Sequence, residues 1–405
     1  MNKRELKARL LDNLSEALPI IRKNNDVRNL HNSIFCSFKR NGLIIALDSS
    51  EKEKLDAPAK YLLSLEMIQR LYSDKYIDNF IFSCYATALD DENKLDPIVN
   101  EFIDEILSNK GRDFLVISEL ANIIIPDDRT YNIIDSSIKN IKSEDLPFDS
   151  TRIKMSGMNL LNKPAIMTRV SVGEEEKAKE IALHRFLVAI NLIRLYFPSL
   201  RPVLKGVFLS RLQNLIVYNY FDKSVSASIE RIGDPSLGNA IITPERYAQM
   251  LELGIGELLK ESEFSKVVKG CLYWYGLGLD EKFPAAKLVN FVTVLESALK
   301  REGENTELRR AVSERGAILL KDDFKDRKKA YKELKDIYDE RSNVVHTGRL
   351  IENKALASRA GRYARDVIMA LIEKARAFDG NFKEFINNLD DIKLGKAEKR
   401  SIPKA

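Results

Sequence analysis

Apolar positions at the start of the chain recur at helical spacing. Leu6, Leu10, Leu11, Leu14 and Leu18 mark one face of a first helix, with Pro19 near its end. Residues 62–72, 77–89 and 98–107 repeat the helical pattern, and Leu43–Leu47 after Asn41-Gly42 is a short apolar run of either type. Ile123-Ile124-Ile125 ends at the turn signal Pro126-Asp127-Asp128. The polar stretch 142–150 predicts a boundary. Beyond it the pattern mixes: 165–172 has strand character, 174–196 is helical and closed by Pro198, and 205–222 and 224–232 are rich in strand-forming residues. Asp234-Pro235 and Gly238-Asn239 break that pattern. From Thr243, a predicted N-cap with Pro244 at the first helical position, the chain reads as successive helices over 248–260, 264–275, 286–299, 326–345 and 356–378. Gly276-Leu277-Gly278-Leu279 reads as a helix-ending turn.

The predicted fold is mainly α. It comprises a mostly helical N-terminal region (1–150), a mixed α/β region (151–242), a helical bundle (243–393) and a basic tail (394–405).

Composition changes this picture little. The 405 residues are 44% hydrophobic and 31% charged, a globular balance. Mean hydropathy is -0.25. No apolar run is long enough to span a bilayer, and no apolar segment follows the charged N-terminus, so no membrane association is expected and a cytoplasmic location is. The scattered Cys36, Cys84 and Cys271 have neither disulfide nor zinc spacing and read as buried or idle thiols. Charge distribution says more. Residues 300–405 hold 26 Lys and Arg against 19 Asp and Glu, and the other 299 residues hold 39 against 41. The net +5 therefore sits in the C-terminal quarter, where it suits either a polyanion or a solvated helix face.

Phosphate-loop, dinucleotide and nucleophile-elbow motifs are missing, and three histidines make a poor ligand set. No metal or cofactor is expected. His31 and His184 read as surface or helix-face residues. His346 lies in Arg341-Ser342-Asn343-Val344-Val345-His346-Thr347-Gly348. Arg341 continues the apolar face of Ile337 and Tyr338, where a guanidinium needs a partner. Gly348 is a helix terminator, which places His346 in the last turn, where the carbonyl end favours imidazolium. On one straight helix the two residues stand about 140° apart. They converge if the helix loosens or a second chain completes the site. Otherwise Arg341 is a salt-bridged structural cation and His346 a cap.

Three segments together resemble the ApeA-like branch of the HEPN superfamily: Trp274-Tyr275-Gly276, Leu288–Leu299 with its Leu295-Glu296-Ser297-Ala298-Leu299, and Tyr338–Gly348. The resemblance covers residues 245–380. It implies a helical bundle that commonly dimerises and, in many members, a metal-independent endoribonuclease acting as a toxin or anti-phage effector. The family's Arg and His fall on Arg341 and His346, and its polar residue in the earlier helix falls on Glu296. Ser342 and Asn343 stand in supporting positions; Ser342 departs from the Asn, Asp or His common in the wider superfamily.

RNA would be the partner of such an enzyme. Imidazole suits the base that activates a 2′-hydroxyl, and guanidinium suits the charge on the phosphorane. Glu296 either orients Arg341 or His346, or pairs with Lys300. Arg359, Arg362 and Arg365, with Arg349, form a basic strip for the RNA backbone or a solvated face. Trp274 and Tyr275 stack a base or pack the core. Three readings follow: a homodimeric HEPN endoribonuclease whose residues 1–240 sense a phage or host trigger, a non-catalytic HEPN RNA-binding adaptor, and a purely structural interaction protein.

Overall fold

In the computed structural model the described residues are 2–24, 49–108, 111–148, 160–197, 202–204, 206–207, 212–231, 240–304, 306–347 and 354–396. His31, Cys36, the run Leu43–Leu47, Arg349 and the end of the basic tail lie outside them.

The chain is mainly helical, with a sheet in the middle. Five helices come first: α1 (Lys3–Asn24), α2 (Ser49–Leu63), α3 (Glu66–Leu71), α4 (Asp74–Asp90) and α5 (Leu95–Ser108). Their apolar faces close on one core containing Leu6, Leu10, Leu14, Leu18, Ile77, Ile81, Val99 and Ile103, as a 3.6-residue period requires. Pro19 does not end α1. The helix continues to Asn24 and buries Ile21.

Strands follow: β1 (Arg112–Ala121), β2 (Ile123–Ile124), β3 (Tyr131–Ile133), β4 (Ser136–Asn140) and β5 (Pro164–Val172). After α6 (Glu175–Tyr196) come β6 (Val203–Leu204), β7 (Gly206–Val207), β8 (Leu212–Asn219), β9 (Val225–Arg231) and β10 (Ala240–Ile241). Their order is β3-β4-β5-β1-β8-β7, with β6 on β1 and β9 on β8, while β10 pairs with β2 in parallel. β4 runs antiparallel to β5, with Ile138 opposite Ile166. The N-terminal region is mostly helical as expected, but 112–140 carries four strands that the hydrophobic pattern did not single out. Phe114-Leu115-Val116-Ile117 is a continuous buried run of the kind a strand covered on both faces carries.

Next come α7 (Pro244–Glu252), a 3-10 turn over Ile255–Leu259, α8 (Glu263–Asp280), α9 (Pro284–Leu299), α10 (Leu308–Leu320), α11 (Phe324–Thr347), α12 (Lys354–Ala377) and α13 (Phe382–Lys393). Thr243 caps α7 as expected, accepting from the Arg246 amide at 3.3 Å. The expected helix 248–260 breaks at Gly254, whose φ of 98° is left-handed. α10 and α13 are helices the hydrophobic pattern did not single out.

α8 continues through Gly276 and Gly278 to Asp280, so these glycines do not end it. They are contact points. A Cβ at Gly276 would overlap the Asn191 side chain, and one at Gly278 would come within 2.5 Å of Phe291. Removing Cβ lets the neighbouring side chains press onto the α8 backbone.

Two compact units emerge. One comprises residues 1–116, 169–181 and 217–225; the other comprises 117–168, 182–216 and 226–405. The second holds the C-terminal bundle, in which α9 packs on α8 and α12, and α10 packs on α11.

Candidate functional site

The chemistry centres on α11. Its inward positions Ala330, Leu334 and Ile337 are buried, which turns Tyr338 and Arg341 toward α9. There the Tyr338 hydroxyl donates a short hydrogen bond to Glu296 Oε1. Arg341 Nη2 lies 3.9 Å from the same oxygen, and the guanidinium carbon is 6.0 Å from the Tyr338 ring centre. The side chains of Arg341 and Glu296 are 24% and 21% exposed, so the pair is shielded yet reachable.

Desolvation, then the adjacent Glu296 carboxylate, push the Tyr338 phenol well above its ordinary range. It therefore remains a donor at neutral pH. Arg341 Nε is buried and has no hydrogen-bond partner. An unsatisfied donor on a charged group is costly, and this one is enclosed, so an acceptor reaches it only if the surrounding side chains shift.

Arg341 and Glu296, two of the residues on which the family's site would fall, lie together. Tyr338 is the member the sequence reading missed as chemistry, having counted it only as apolar face. Its position three residues before Arg341 was the available signal.

His346 lies in the last turn of α11, as expected, and its side chain is exposed. α11 stays helical from Arg341 through His346. The helix therefore does not loosen between them, and within one chain the angle of about 140° stands. Asn343 donates to Glu340 at 3.4 Å and its carbonyl accepts from the Thr347 hydroxyl at 2.5 Å. Ser342 is half-buried.

On α12, Arg362 is exposed and Arg359 half-buried. Arg365 Nε donates to the Leu195 carbonyl at 3.0 Å. Tyr275 is core, tilted against Phe291 at 5.7 Å. Trp274 is 37% exposed and meets Tyr273 edge-on at 6.0 Å. His184 stacks on Tyr273 at 5.2 Å. Cys84 and Cys271 are buried, and burial pushes both thiols up to about 12.

Among the described residues no group of three or more His, Cys, Asp and Glu is placed to hold a metal ion, and no helix is long and apolar enough to cross a membrane. No family model, no curated protein and no solved structure matches the chain.

Proposed function

We propose that the chain is a metal-independent endoribonuclease of the HEPN type, acting as a toxin or anti-phage effector. The observation that carries this reading is Arg341. It is held over Tyr338 beside Glu296 with one guanidinium edge unbonded, on the same helix whose last turn presents His346.

In this mechanism an RNA 2′-hydroxyl attacks the adjacent phosphorus. The imidazole of His346 takes the hydroxyl proton. Arg341 donates to a non-bridging oxygen as charge builds in the phosphorane. The P–O5′ bond breaks and the departing 5′-oxygen takes a proton from water, leaving a 2′,3′-cyclic phosphate and a 5′-hydroxyl. Glu296 and Tyr338 are positioning residues that fix the guanidinium plane. Arg341 and His346 diverge on one helix, so the complete site uses two copies of α11 facing each other across a two-fold axis. The region before residue 240 receives the trigger.

A second reading, a non-catalytic RNA-binding adaptor, draws on the Arg341–Glu296 tie and the outward His346. Incubating labelled RNA with the wild-type chain and with His346→Ala separates the two. The enzyme reading expects cleavage that falls on the order of 10²–10⁴-fold in the variant. Equal, undetectable cleavage alongside retained RNA binding establishes the adaptor instead.

A further inference from the structure

We infer that the outer face of α11 is a docking rail for the backbone of single-stranded RNA, formed by Lys325, Lys328, Lys329 and Lys332 with Phe324 at its end. This rests on the ribonuclease reading but concerns binding rather than cleavage.

All four lysines are exposed, and none makes an ion pair among the described residues. Three arginines at or near the adjacent α10 behave differently. Arg309 pairs with Asp339 at 2.5 Å, Arg310 with Glu314 at 3.0 Å and Arg301 with Asp390 at 2.7 Å. Helical spacing offers Glu333 to Lys329, but Glu333 instead accepts from the Tyr363 hydroxyl at 3.0 Å. Asp336, four residues beyond Lys332, makes no ion pair with it.

The arrangement works against the helix. Lys325 stands in the first turn, where the dipole's positive end repels a cation. Lys325 and Lys329, and Lys328 and Lys332, are like-charge pairs at i, i+4, each unfavourable. Asp323 caps this end through the Lys325 and Asp326 amides at 2.8 and 3.1 Å. Asp326 helps the same end, but neither acid neutralises the ladder. A polyanion relieves all of these repulsions together.

The ladder itself spans about 10 Å of helix axis, on the face of α11 opposite Arg341. Two features favour RNA over other polyanions. Phe324, 79% exposed, offers a flat face at the outer end, the pairing of cations and aromatics that single strands use. The apolar face of α11 is already buried in the bundle, so the helix has no free apolar side to insert into a bilayer.

The test measures anisotropy of a fluorescent single-stranded RNA against salt, using the full chain carrying His346→Ala so that the RNA stays intact. Lys325, Lys328, Lys329 and Lys332 are replaced together by Gln. The slope of log affinity on log salt should flatten by about 2 to 3, and affinity at 0.1 M salt should fall about tenfold or more. Phe324→Ser should lower affinity with the slope unchanged. The melting temperature of the quadruple variant should be equal or higher, which separates lost contacts from lost folding. A parent chain that ignores RNA, an unchanged slope in the quadruple variant, or preferential binding to phosphatidylserine vesicles overturns the rail. Cleavage by the His346-intact chain is read separately, so loss of the rail and loss of the nuclease are distinguishable.

Discussion

Arg341 is tied to Glu296 at 3.9 Å and leaves Nε unbonded. A guanidinium fork has functions that a lysine ammonium cannot copy. Arg341→Lys should keep the charge and the fold but lower cleavage roughly 10²-fold, the scale of losing one aligned donor to a developing anion. Near wild-type rates in the lysine variant would make Arg341 a structural cation. Tyr338→Phe removes the hydroxyl held by Glu296. If Tyr338 only positions, the variant should retain RNA affinity and lose turnover, because the carboxylate is then free to swing and misalign the arginine. A pure loss of stability, with turnover of the folded fraction intact, would give the tyrosine a packing role instead.

Among the elements, α8 shows packing overruling propensity. Gly276→Ala should gain helix propensity, worth about 1 kcal/mol. It would nevertheless destabilise the chain by about 1–3 kcal/mol, because the added methyl displaces Asn191. That side chain donates to the Leu272 carbonyl at 3.1 Å and accepts from Arg194 at 3.2 Å, and Arg194 in turn binds Asp280 at 3.0 Å. A denaturation midpoint that rises in the alanine variant would contradict this.

Arg315 does similar work between α10 and α13. It is buried and bonds Glu304 at 2.7 Å, Asp390 at 2.8 Å and the Leu299 carbonyl at 2.9 Å. Burial alone would raise the Glu304 pKa, but the bonds from Arg315 and the Arg301 amide outweigh it and hold the carboxyl below the usual carboxylate range. A carboxylate depressed in the folded state stabilises above its unfolded pKa, and that stability is lost as pH falls through the folded value. The bundle should therefore lose stability as pH falls below the ordinary carboxylate range and through the folded-state pKa of Glu304. Glu304→Gln should blunt that acid sensitivity while lowering stability at pH 7, as pH-resolved denaturation would reveal.

For the whole molecule, the divergence of Arg341 and His346 along one unbroken helix makes assembly part of the proposed chemistry. The active species should sediment as a two-fold dimer at micromolar concentration. Mixing Arg341→Ala and His346→Ala chains should restore part of the lost cleavage, because one composite site in the mixed dimer draws its arginine and histidine from the two intact halves. A monomer cleaving at full rate would defeat the shared site. Cleavage should also persist in excess chelator and yield 2′,3′-cyclic phosphate ends; magnesium-dependent 5′-phosphate products would reject 2′-hydroxyl attack.

Local chemistry was enough to place much of this protein. The helical period gave the faces of α1, α9 and α12, Thr243-Pro244 gave the start of α7, and the step from Ile337 to Arg341 gave an inward cation that needed a partner. Each depends on residues within a turn or two of one another. Other features depended on distant neighbours. The buried run in β1 becomes a strand only when other strands flank it, and Gly276 and Gly278 end a helix or admit Asn191 and Phe291 according to what packs there. α10 and α13 carry Arg315 and Asp390, which face each other 75 positions apart. Tyr338 became a hydrogen-bond donor because α9 brings Glu296 to it from 42 residues away. A residue's periodicity fixes which way it faces, whereas the identity of what it meets is set by long-range packing, and at this site that partner decides which donors Arg341 keeps free.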